Sequence, residues 1–124
     1  MLEETNINLK YVEAVNFYNI RNLNVAKDLF LELILSDPFR WEFWYSIAAV
    51  YQLEKKYKEA ILAYKRSCVL NPNDAKVYFH LAECLLSEND TKNALLNLEE
   101  ANRHCIDTVL KDKISVLYNQ NQSD

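Results

Sequence analysis

His80 and Cys84 stand four residues apart, so on a helix they share one face and could offer two ligands to a metal ion. Nothing at motif spacing completes such a site: the only other histidine is His104, and the remaining cysteines are Cys68 and Cys105. His104 and Cys105 set an imidazole beside a thiol. A Cys–His nucleophile also needs a group to orient the imidazole and donors for an oxyanion, and neither has a candidate here. His104 reads more simply as a cation at a helix C-terminus, and each cysteine as a small apolar filler in a helical stretch. Glu3–Glu4 and Glu99–Glu100 are sequence neighbours that point apart on a helix, so they are solvated charges and not an acid–base pair. A phosphate-cradling loop needs glycine, and the chain has none. The expectation is a non-enzyme: no catalytic residue, no cofactor and no metal.

The elements that would carry these residues are helices. Half of the residues are apolar and 12% are aromatic, too hydrophobic for a disordered chain. With no glycine and only Pro38 and Pro72, the many turns of a sheet-rich fold are hard to build. The net charge of -4 and the lack of any basic cluster denser than Lys55, Lys56 and Lys58 argue against nucleic acid as a partner. No 18-residue apolar run exists, so no membrane insertion is expected. Met1 to Lys10 carries Glu3 and Glu4 and no apolar core of a signal peptide. With three cysteines in no zinc or redox spacing, a reducing cytoplasm is the expected compartment.

Pro38 and Pro72 lie 34 residues apart, and other residues repeat at that offset. Ala14, Ala48 and Ala82 form one column, and Ala26, Ala60 and Ala94 another. Phe17, Tyr51 and Leu85 form a third, and Phe30, Tyr64 and Leu98 a fourth. The middle copy, with Trp44, Ile47, Ala48, Tyr51, Ala60, Tyr64, Leu70 and Pro72, resembles the tetratricopeptide consensus. The resemblance implies an all-α fold: three tandem helix hairpins over about 7–40, 41–74 and 75–108, in a right-handed superhelical solenoid. Ile106, Val109, Leu110, Ile114 and Leu117 have helical spacing and predict a capping helix over about 106–118. The whole chain, 1–124, reads as one domain, with a polar, frayed end over 119–124. Asn22 or Asn24, Asn73 or Asp74, and Asn89 or Asp90 are candidate helix caps. The glycine usual between paired helices is replaced by Arg21, Lys55 and Asn89; only Asn readily takes a left-handed conformation, so altered turns are expected. Lys10 and Glu13, in the places of Trp44 and Ile47, give the first copy the polar outer side of a terminal repeat.

In tetratricopeptide modules the first helix of each hairpin lines a concave groove. Carried onto this register, the resemblance implies a peptide-binding set of Tyr11, Val15 and Tyr18, then Tyr45, Ala49 and Gln52, then Phe79, Glu83 and Leu86, flanked by Asn8, Asn19, Glu42, Leu53, Lys76 and Ser87. Aromatics there bring large contact area at low entropic cost, although some could equally be core between repeats. Gln52, Asn8 and Asn19 could bond an extended peptide backbone. The carboxylate clamp of chaperone-tail binders would fall on Tyr11, Val15, Ser46, Lys76 and His80; only Lys76 matches, which rejects that ligand.

Three segments carry a closer resemblance: YVEAVNFYNIRNLNVAKDLFLELILSDPF (11–39), YSIAAVYQLEKKYKEAILAY (45–64) and FHLAECLL (79–86). Together they resemble the class II chaperones of bacterial type III secretion. That resemblance implies a cytoplasmic, bacterial chaperone that holds an extended hydrophobic segment of a secreted translocator in its groove before export. A homodimer is left open. The alternative is a generic scaffold subunit that mediates protein–protein assembly.

Overall fold

A computed structural model describes residues 3–122. Within them the chain forms seven helices and no strand: α1 (Glu4–Asn19), α2 (Leu23–Ser36), α3 (Trp41–Leu53), α4 (Tyr57–Leu70), α5 (Ala75–Ser87), α6 (Thr91–His104) and α7 (Thr108–Asn121). Each packs mainly on its neighbours in sequence, and α1 also reaches α3. The first six pair into three stacked hairpins of a tetratricopeptide solenoid, with α7 laid on the last. No helix among the described residues is long and apolar enough to cross a membrane.

Small residues sit where helix backbones must approach. Both alanine columns are fully buried in all three copies. Beyond them Phe30, Tyr64 and Leu98, likewise buried, fill the wider gap. A further fully buried column is Leu33, Ser67 and Ala101. Ser67 is the buried polar side chain of that core, and its hydroxyl donates to the Trp41 carbonyl at 3.1 Å, so it is satisfied and fastens α4 to the start of α3. Pro38 and Pro72 end the first two hairpins two residues past their second helices, and Ile106 stands in that place after the third. The proline carbonyls then accept a bond from the next helix: Trp44 Nε1 donates to Pro38 and the Tyr78 hydroxyl to Pro72, both at 2.8 Å.

The turns within hairpins correct the sequence expectation. Arg21, Lys55 and Asn89 have φ of 65°, 61° and 62°, the left-handed region. In each turn the next amide (Asn22, Lys56, Asp90) donates to a carbonyl five residues back (Phe17, Tyr51, Leu85). This is one unaltered Schellman closure used three times. The alanine columns on either side dictate the hairpin geometry, and Arg21 and Lys55 adopt the left-handed conformation at a cost of roughly 1–2 kcal/mol each. Asp74 and Asp90 cap α5 and α6 as expected, accepting from the Lys76 and Asn93 amides. Asn22 occupies the α2 cap position, but its side chain makes no capping bond.

At the C-terminus the capping helix lies later than the sequence pattern suggests. Ile106 is 97% exposed in the turn and not on the helix, which runs on through 119–121 where fraying was expected; residues 123–124 lie outside the described region. Asp107 accepts from the Val109 amide and starts α7. Ile114 is buried, with Leu110 and Leu117 half-buried beside it. At the other end Leu9, Glu13 and Asn16 of α1 are exposed, while their counterparts Phe43, Ile47, Val50 and Val77, Leu81, Cys84 are buried against a preceding hairpin. Glu13 and Asn16 make that end of the stack wettable.

Candidate peptide-binding groove

Three recesses follow one another along the odd-numbered helices. The first, of about 230 Å3, lies between α1 and α3 and is lined by Tyr11, Val15, Tyr18, Asn19, Tyr45, Ser46 and Ala49, with Phe30 of α2 at its back. The second, also about 230 Å3, lies between α3 and α5; Tyr18, Tyr45 and Ala49 wall it too, joined by Gln52, Leu53, Tyr64, His80 and Glu83. The third, of about 320 Å3, lies between α5 and α7 and shares Glu83 with the second. A row of recesses connected through shared walls is a groove.

Eight of the nine residues singled out from the sequence line it: Tyr11, Val15, Tyr18, Tyr45, Ala49, Gln52, Phe79 and Glu83. Leu86 lines none of the three; it is half-buried and packs on the core. Phe79 is only 7% exposed, so it forms a wall and presents little free surface; it stands edge-on to the His80 ring, centroids 5.5 Å apart. Tyr11 is wedged between Phe30 and Phe43. Asn8 is turned to Arg40, which bonds its Oδ1 at 3.4 Å, and Arg40 is also paired with Glu4 and Asp37.

Phe30 and Tyr64 were not singled out as groove residues. Both come from second helices of hairpins, whose large side chains read as core from the sequence. Tyr64 is buried, yet its hydroxyl reaches the groove floor. It donates to Gln52 Oε1 at 2.7 Å; Gln52 Nε2 donates to Glu83 Oε1 at 3.1 Å; His80 Nδ1 meets the same oxygen at 2.7 Å. The expectation that Gln52 bonds a peptide backbone is therefore narrowed: one of the two lone pairs of its carbonyl and one of its two N–H groups are occupied within the protein. Burial works against the Glu83 carboxylate, but the hydrogen bond and charge of His80, and then the Gln52 bond, hold its pKa below the ordinary value. Burial pushes the Tyr45 hydroxyl up to about 12, with Asp74 adding to the effect, and raises Tyr64 as well. Both phenols stay neutral donors across the physiological range. Lys76 lies over the Tyr45 ring at 5.7 Å, the sole cation of the rejected clamp.

The groove floor is thus aromatic and aliphatic, with one hydrogen-bonded polar chain across its middle. That arrangement suits an apolar, extended ligand. Among the described residues no three His, Cys, Asp or Glu side chains gather to hold a metal. Cys84 is fully buried and burial raises its thiol to about 12, so it is unreactive. His104 stacks on Tyr78 and lies 3.5 Å from Glu100.

A tetratricopeptide-repeat family profile matches residues 41–74. The chaperone protein SicA of Salmonella typhimurium is 29% identical over 106 residues, covering 86% of this chain; the chain spans 64% of SicA's length. Residues 41–74 thus match a tetratricopeptide repeat, and the chain is similar to a chaperone protein. The type III secretion chaperone SycD of Yersinia enterocolitica, solved with a peptide of the translocator YopD, superposes with a TM-score of 0.92 at 23% identity, over 96% of this chain and 94% of that one. PcrH of Pseudomonas aeruginosa gives 0.92 at 20% identity, over 99% and 96%. PcrH has also been solved with the chaperone-binding region of PopD. At these identities the superpositions establish the fold.

Proposed function

We propose that this protein is a cytoplasmic, non-catalytic chaperone of a bacterial type III secretion translocator. It holds an extended hydrophobic segment of that client in the groove along α1, α3, α5 and α7 and keeps it soluble before export. The observation that carries this reading is the continuous row of recesses lined by Tyr11, Val15, Tyr18, Tyr45 and Ala49. The relatives named chaperones, and the YopD and PopD complexes of SycD and PcrH, support it. An apolar floor whose central polar groups, Tyr64, Gln52, His80 and Glu83, hydrogen-bond one another gains from desolvation by an apolar client and gives little foothold for a charged terminus.

Co-expression with the translocator encoded in the same host tests this. Val15→Asp and Leu53→Asp, both in the groove, should abolish co-purification of a soluble translocator, while Leu62→Asp on the exposed side of α4 should leave it intact. The reverse pattern would instead support a scaffold that assembles through its outer faces.

A further inference from the structure

The last helix repeats the pattern of α3 and α5, but at an offset of 33 residues. The turn before α3 and the turn before α5 each have four residues, whereas only Cys105, Ile106 and Asp107 precede α7. With that one-residue deletion the details coincide. Asp107 caps through the Val109 amide as Asp74 does through the Lys76 amide. Lys111 Nζ donates to the Cys105 carbonyl six residues back at 3.5 Å, as Trp44 does to Pro38 and Tyr78 to Pro72. Ile114 is buried as Leu81 is, each 2% exposed. So α7 is a fourth first-helix, stacked where the next hairpin would begin, and not a generic lid.

That register assigns α7 a groove edge. The positions of Tyr45 and Phe79 fall on Asp112, and those of Ala49 and Glu83 fall on Val116. The third recess lies there: Val116 and Leu117 of α7 face Phe79 and Glu83 of α5, with Asp112 and Lys113 at the rim. Val116 is 56% exposed although it lines this recess together with Phe79 and Leu117.

We infer that α7 forms a fourth rung of the groove and that the recess at Val116 takes an apolar side chain from the same extended client segment that fills the two preceding recesses. This rests on the groove reading above. The argument for that occupant is continuity: the second and third recesses share Glu83, as the first and second share Tyr18, Tyr45 and Ala49. Packed helices lie about 8–10 Å apart and an extended strand advances about 3.3 Å per residue, so one rung corresponds to roughly three client residues. The anchors in the first and third recesses should then lie about six residues apart on the client.

The test uses the complex of the full chain with its co-purified translocator, with p-benzoylphenylalanine placed at Tyr18, at Val116 or, as a control, at Leu62. Mass spectrometry of the photocrosslinked products should place the Tyr18 and Val116 crosslinks in one continuous client segment, about three to six residues apart because Tyr18 walls both of the first two recesses, with none from Leu62. Val116→Asp should weaken client binding about tenfold without changing the melting temperature. A crosslink from Tyr18 with none from Val116, or one from Val116 to a remote client segment or to a second copy of the chain, would overturn the fourth rung and leave the groove standing. Loss of crosslinking at both positions would overturn both readings.

Discussion

Lys55→Gly is the perturbation whose outcome the backbone geometry fixes most directly. Lys55 holds φ at 61° in a Schellman turn whose other bonds are all made by main-chain groups. A Cβ in the left-handed region costs roughly 1–2 kcal/mol, and glycine removes that cost. Against this, glycine gives the unfolded chain more freedom, which takes back about 0.4–1 kcal/mol. The net gain is about 0.5–1 kcal/mol. With an unfolding entropy of about 2.1 cal/mol/K per residue, the 124-residue chain melts about 2–4 °C higher. Thermal unfolding followed by circular dichroism, at one fixed protein concentration, reads this directly. Two companions sharpen the reasoning. Asn89→Gly should gain less, because Asn tolerates this conformation. Arg21→Gly should also gain less, because it forfeits the guanidinium stacked 5.1 Å from the Tyr18 ring and the bond to the Tyr18 carbonyl. A Lys55→Gly protein that melts at or below the parent temperature would refute the strain argument.

Ser67→Ala removes the buried hydroxyl bound to the Trp41 carbonyl and should cost about 1 kcal/mol in urea unfolding, with an unchanged m-value. Glu83 has a folded pKa below its ordinary value, so its contribution to stability is fully present above about pH 5 and is lost as pH falls through the lowered value. Glu83→Gln should therefore flatten the acid limb of a stability–pH profile below about pH 5 and leave the alkaline side unchanged.

Much of this architecture is legible in the residues, and the misreadings have physical causes. Both alanine columns are found fully buried because nothing larger fits between paired helices, so their periodicity reports packing directly. The left-handed turns are not legible in residue type because local preference at Arg21 and Lys55 is weaker than the packing on either side of them. The α7 register is hidden by a single missing residue in its turn, and the helical spacing of Ile106 with Val109 and Leu110 draws Ile106 onto the helix, whereas the structure leaves it in solvent. In the groove, positions on first helices could be assigned by register, but Tyr64 could not. Its ring belongs to the core and only its hydroxyl emerges, a division within one side chain that residue type does not reveal.

The sequential packing of the seven helices has a consequence for how the molecule responds to a client. Each helix touches little beyond its neighbours, so opening at α1 is not felt directly at α7. A segment lying across all four odd-numbered helices would be the one element in contact with every layer at once. It would couple ends that are otherwise independent, so hydrogen exchange at α1 and α7 would slow together on loading, and release of the client would loosen the whole stack in a single step.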